Sequence, residues 1–194
     1  MAVKRILQLG DPRLKQKTIA INGFADPKLK QIVQDLEDTM IKNGLVGIAA
    51  PQIGSNLKIL ITEPHKTPYR PVDQTDQLRV YINPQIIRSS KEEIIFYEGC
   101  GCVAEAKLFG PVKRPKEITI EAFDISGRKF RLTTDGLLGR VIQHEYDHLF
   151  GIEFTERITD YAKLIHAKFY KKFIRFTKEQ TEASIITKKE FRFV

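Results

Sequence analysis

Leu29, Ile32, Val33, Leu36 and Met40 recur three and four residues apart behind Asp26 and Pro27. That is the spacing of one buried helix face, opened by an N-cap and a first-turn proline. It predicts a helix over 27–42, stopped at Asn43-Gly44. The apolar run KILIT predicts a strand over 58–62, and the polar stretch 63–77, with Pro64, Pro68 and Pro71, predicts a surface loop. Further strands are expected over 79–82, 93–97, 117–123 and 129–132, the last two joined as a hairpin through Asp124-Ile125-Ser126-Gly127. A second helix follows, with Asp135 as N-cap, Leu137, Leu138, Val141 and Ile142 as its apolar stripe, and Gly151 as its stop. Residues 160–177 turn helical again with many Lys and Arg, and 184–194 lean towards β-structure. The expected fold class is α+β, with antiparallel sheets surrounding the second helix, the N-terminal helix packed outside, and a basic C-terminal helix or extension.

The chain of 194 residues, 42% hydrophobic, is long enough for one domain with a sizeable core. The division expected is a catalytic unit over 1–160 and an extension of the same domain over 161–194. No apolar run approaches the ~20 residues of a membrane span, and the apolar stretch near the N-terminus is too short for a signal peptide. A cytoplasmic protein with no membrane partner is expected. Cys100 and Cys102 are too close in sequence for a good mutual disulfide, so reduced thiols, one of them available to a metal, are the better reading. The net charge of +8 points to an anionic partner such as RNA.

The chemistry concentrates in His144-Glu145-Tyr146-Asp147-His148, an H-E-x-x-H sequence inside the second helix. Residues four apart differ by about 40° around a helix and about 6 Å along it, so both imidazoles reach one ion from the same face. Glu145 lies beside that face, within reach of water at the ion. His65 and His166 lack such a context and are read as surface residues. Arg140 and Gln143 are read as structural, and Asp147 either supports the site or meets solvent. A catalytic site of this kind wants a third protein ligand and one open position. An H-E-x-x-H-x-x-G-x-x-H protease would need histidine where Phe154 stands, and a downstream glutamate ligand is missing from LIHAKFYKKF. The third ligand is therefore sought upstream, where Glu98-Gly99-Cys100-Gly101-Cys102 follows a β-type run and glycines flank Cys100.

Gly47-Ile48-Ala49-Ala50-Pro51-Gln52, the Glu98-Gly99-Cys100 segment and the H-E-x-D-H helix stand in the order and at the separations of the peptide deformylase family, which residues 1–160 resemble. The resemblance implies one divalent ion on Cys100, His144 and His148, ferrous iron in the cell, with Zn2+, Ni2+ or Co2+ able to take the same ligands. It implies removal of the N-formyl group from nascent polypeptides that begin with formyl-methionine, releasing formate. Glu145 would carry the proton, and the Gln52 amide and Gly101 N–H would face the developing oxyanion. Val46, Gly47, Gly99 and Val141 would bind substrate, Val141 in the pocket for the methionine side chain. Two departures stand out: Leu45 replaces a glycine of the first motif, and Gly101-Cys102 replaces leucine and serine after the cysteine. Cys102 is read as a buried small apolar side chain.

Competing readings are an endoprotease, disfavoured by the missing downstream ligand, and an RNA- or ribosome-binding factor with a structural metal, disfavoured by Glu145. From Arg157 onward ten basic residues face four acidic ones, a local net of +6 out of the whole chain's +8. Such a tail suits a salt-sensitive hold on ribosomal RNA, beside the alternative of a helix docking Leu164, Ile165, Phe169, Phe173 and Phe176 on the core.

Overall fold

A computed structural model describes residues 3–70 and 74–194. Pro71, counted above in the polar loop, lies outside the described residues. The first helix is α1 (Pro27–Lys42), and the Asp26 carboxylate accepts the Lys28 N–H at 2.8 Å as its cap. Strands β1 (Gly47–Ala49) and β2 (Ile59–Thr62) pair antiparallel, and β3 (Arg79–Ser89) pairs with β2. Then come β4 (Glu93–Gly99), β5 (Leu108–Pro115), β6 (Ile118–Phe123) and β7 (Lys129–Thr134), before α2 (Gly136–His148). The tail forms β8 (Ile165–His166), α3 (Ala167–Phe173), α4 (Lys178–Ser184) and β9 (Lys189–Phe193). One antiparallel sheet has the order β1-β2-β3-β6-β7-β9 and the other β4-β5-β8.

Alternation along β2 builds the core on both faces of the larger sheet. Leu60 joins Leu138 and Ile142 of α2 in one apolar cluster, while Ile59 and Ile61 join Leu29, Val33 and Leu36 of α1 in another. α2 is therefore buried almost all round, and α1 covers the sheet from outside.

Several elements differ from the sequence pattern. β3 runs to Ser89 instead of ending at 82, because register shifts around Asn83 and Ile87 let the strand bend and continue along β6. β5 was not expected: Gly110, Pro111 and Pro115 obscure its alternation, and its pairing with all of β4 holds it in place. The continuous helix expected over 160–177 is broken, since Ile165 and His166 pair with Phe109 and Leu108 of β5 before α3 starts. Asp135 precedes α2 but makes no side-chain cap. Its carboxylate accepts instead the N–H groups of Thr187 (2.8 Å) and Lys188 (2.9 Å) and the Thr187 hydroxyl, tying the tail to the helix start.

Candidate metal centre and active-site cleft

Three elements converge on Cys100, which follows the end of β4. From α2 come His144 and His148, whose ring centroids are 5.2 Å apart, and from the 3-10 turn Ala50–Ile53 comes Gln52. The ligand atoms of Cys100, His144 and His148 all lie within 4.8 Å of one another, and all three residues are buried. Cys100 Sγ is 3.3 Å from His148 Nε2. A thiolate with two neutral imidazoles is a donor set for borderline divalent ions. His65 and His166 take no part: His65 bonds the Glu63 carbonyl, and exposed His166 caps α3.

Each imidazole is backed by a buried glutamate. His144 Nδ1 lies 2.8 Å from Glu98 Oε2, leaving Nε2 for the centre. Glu98 also receives Arg114 (2.8 Å) and Arg140 (3.0 Å). Burial opposes the Glu98 carboxylate, yet Arg114, His144 and Arg140 outweigh it and hold its pKa well below the usual range. His148 Nδ1 lies 3.7 Å from Glu153 Oε1, and neither Glu153 oxygen has a hydrogen-bond partner. Burial likewise opposes charge on His144, but the Cys100 sulfur and Glu98 push its pKa up to about 10. Contact with Cys102 and burial push the Cys100 thiol up to about 12, so without an ion the sulfur keeps its proton, and a metal ion bound there would displace it. Glu145, buried with Oε2 unpartnered, is raised by burial against the pull of the two histidines.

The cleft above the centre is lined by Val46, Gly47, Gly99, Gly101, Val141 and Glu145. Gly47 is required by space: a Cβ there would stand 2.4 Å from Val141 Cγ1. Gln52 Oε1 accepts the Ala49 N–H at 2.6 Å, which turns its Nε2 towards Cys100 Sγ at 3.6 Å. The departures at 45 and 101 are spatially coupled. A Cβ on Gly101 would stand 3.3 Å from Leu45 Cδ1 and 3.3 Å from Ile6 Cδ1, so the Leu45 side chain occupies ground that a side chain at 101 would need. Cys102 is buried among Leu7, Leu14, Val112 and Phe154, and its N–H donates to Cys100 Sγ.

Sequence reasoning missed Glu98, Arg114 and Glu153. Glu98 carried a signal, since it immediately precedes Gly99-Cys100, whereas Arg114 and Glu153 reach the site only through folding. Arg140, read as structural, holds Glu98 and also lines the cleft. Gln143 ties α2 to the Pro115 carbonyl of β5, and Asp147 turns to Arg114 (2.6 Å) and Arg157 (2.8 Å) rather than to solvent.

Glu145 beside two candidate ligand histidines, under an open cleft, puts this centre in the class of metal-dependent hydrolases rather than of closed structural metal sites. Residues 3–163 match the family model of polypeptide deformylase. A peptide deformylase of Thermomicrobium roseum is 39% identical over 164 residues, covering 84% of this chain and 90% of the relative. One from Chloroflexus aggregans is 41% identical over 175 residues, covering 84% and 92%. The class I type b peptide deformylase of Acinetobacter baumannii, solved with Met-Ala-Ser bound, superposes with a TM-score of 0.77 at 29% identity over 81% of this chain and 99% of that one. The chain belongs to the polypeptide deformylase family.

Proposed function

We propose that this chain removes the formyl group from the N-terminal formyl-methionine of new polypeptides and releases formate, using a divalent ion held by Cys100, His144 and His148. The observation that carries the reading is the gathering of those three ligand atoms within 4.8 Å beside buried Glu145, at the floor of the cleft. An ion held by these three residues would supply Lewis acidity towards the formyl oxygen and the attacking water. Glu145 takes the water proton and passes it to the departing amine nitrogen, a task suited to a carboxylate whose pKa burial has raised. The Gln52 Nε2 and the Gly101 N–H donate to the oxygen that gains charge. Val46, Gly47, Gly99 and Val141 hold the substrate, with the methionine side chain against Val46 and Val141.

Ferrous iron is our assignment for the ion in the cell, on the family resemblance, and zinc, nickel and cobalt suit the same donors. Formate release from formyl-Met-Ala-Ser, run beside a casein digest and metal analysis of anaerobically purified protein, tests the reading. Formate release without casein cleavage is expected, at a stoichiometry of about one ion per chain. Cleavage of casein, or no formate at full metal loading, would overturn it.

We also assign the basic tail to a weak hold on ribosomal RNA in the cytoplasm, where formylated chains emerge. Lys168 and Lys172 are exposed on α3, alongside exposed Phe169, Phe173 and Phe176. A salt-sensitive contact of this kind raises the local concentration of substrate. Changing Lys168, Lys171, Lys172 and Arg175 to Gln should abolish co-sedimentation with ribosomes at low salt. Equal pelleting of both proteins would sink this role.

A further inference from the structure

Arg70 stands in the cleft wall, on the segment between β2 and β3, and the roles assigned so far leave it unused. Its guanidinium lies 5.4 Å from the centroid of the Phe96 ring. Phe96 packs with Val46, Leu137 and Val141, so Arg70 borders the apolar lining assigned to the first side chain of the substrate. A second guanidinium, Arg140, lies 5.6 Å from the same ring. The two differ in what holds them. Arg140 is bound by Glu98 and by the carbonyls of Val112 and Ile94. Arg79 holds Asp76, and Arg114 holds Glu98 and Asp147. For Arg70 there is no carboxylate partner among the described residues, and its Nη1 is buried without a hydrogen bond. Two carboxylates are near enough to act on its charge, Glu98 and Glu145, but Glu98 is already saturated by Arg114, Arg140 and His144, and neither makes a hydrogen bond or ion pair with Arg70.

Behind Arg70 a small cavity is closed by Tyr170, Arg175 and Gln180, residues beyond the family match at 163. Arg175 adds a second cation there, and its Nε is also buried and unpartnered. Burial pushes the pKa of Arg70 down, the mark of a charge removed from water without full compensation. A cation in that position is stabilised by a ligand that brings an anionic acceptor, and a purely apolar ligand leaves it unpaired. Glutamate has the reach of methionine, three heavy atoms beyond Cβ, and ends in oxygen where methionine ends in a methyl group.

We propose that Arg70 is a specificity-determining residue that turns the far end of this pocket into a carboxylate subsite, so that N-formyl peptides beginning with glutamate are substrates alongside those beginning with methionine. The proposal rests on the deformylase reading of the same cleft and adds a substrate class to it. Its test compares kcat/KM for formyl-Met-Ala-Ser, formyl-Glu-Ala-Ser and formyl-Gln-Ala-Ser in the metal-loaded protein and in its Arg70→Met and Arg70→Lys variants. The wild-type protein should hydrolyse the glutamate peptide and prefer it to the glutamine peptide. In Arg70→Met the Glu-to-Met ratio should fall at least about tenfold, and Arg70→Lys should keep most of it. An unchanged ratio in Arg70→Met, equal loss on both peptides, or a glutamine peptide as good as the glutamate one would overturn the proposal. Calorimetric binding of Glu-Ala-Ser against Met-Ala-Ser reads the same preference without turnover. A chain inactive on every formyl peptide would end the deformylase reading, while the binding ratio would still decide the role of Arg70.

Discussion

Glu98 Oε2 and His144 Nδ1 meet at 2.8 Å where the end of β4 crosses α2. The contact sets the tautomer of His144 and the direction of its free nitrogen. Glu98→Gln should weaken metal binding roughly 10–100-fold. It should also destabilise the fold by about 3–5 kcal/mol, because Arg114 and Arg140 lose a buried counter-charge. Chelator competition and denaturant unfolding measure the two effects, and undiminished metal retention would remove Glu98 from the support of the site.

Glu153 beside His148 is the less satisfied counterpart: it is 0% exposed, and neither carboxylate oxygen makes a hydrogen bond, His148 Nδ1 standing 3.7 Å away. Glu153→Leu should therefore move two quantities in opposite directions. Metal affinity should fall about tenfold, while the metal-free fold gains about 1–3 kcal/mol from losing a buried carboxylate that makes no hydrogen bond. Parallel loss of both would mean that Glu153 serves packing alone.

Glu145→Gln keeps the volume of the side chain and removes the proton acceptor. Turnover of formyl-Met-Ala-Ser should drop roughly 10²–10⁴-fold with metal content unchanged. Near-normal turnover would take Glu145 out of the proton path.

The contact between Leu45 and position 101 predicts a coupled pair. Gly101→Leu alone should crowd Leu45 and Ile6 and cost about 1–3 kcal/mol. Leu45→Gly in the same chain should recover most of that loss, an interaction read directly by a double-mutant cycle. Simple additivity of the two changes would show that they are independent.

Asp76 links two strands of the larger sheet, with Arg79 of β3 at 2.6 Å and Lys189 of β9 at 2.9 Å. Burial raises its pKa, but the two cations outweigh that and bring it below 3.8. A depressed folded value means the stabilisation is present above pH 3.8 and is lost as pH falls through the lower folded value. Asp76→Asn should remove that acid-range slope and cost on the order of 1 kcal/mol at neutral pH, since Lys189 is part-exposed and screened. An unaltered acid transition in the variant would place the titrating group elsewhere.

Local pattern alone placed α1, α2, the β6–β7 hairpin and the two candidate histidine ligands, and the family resemblance pointed to Cys100. Asp26-Pro27 and the apolar spacing write the first helix, and H-E-x-x-H at a helical spacing writes two candidate ligands with the proposed proton carrier beside them, because neighbours on a helix face are set by covalent geometry. The Glu98-Gly99-Cys100 motif added the third. What the chain could not disclose by itself depends on partners far apart in sequence. β5 exists because β4 pairs along its whole length, and 160–177 breaks because Ile165 finds Phe109, so hydrogen bonding across the sheet overrode local helical periodicity. Arg114 reaches Glu98 and Asp147, and Glu153 reaches His148, only once β5 and the turn after α2 pack against the helix. The leucine at 45 and the glycine at 101 are visible as two separate departures in sequence, and become neighbours only where the segment before β1 and the Cys100 turn are brought together by the fold.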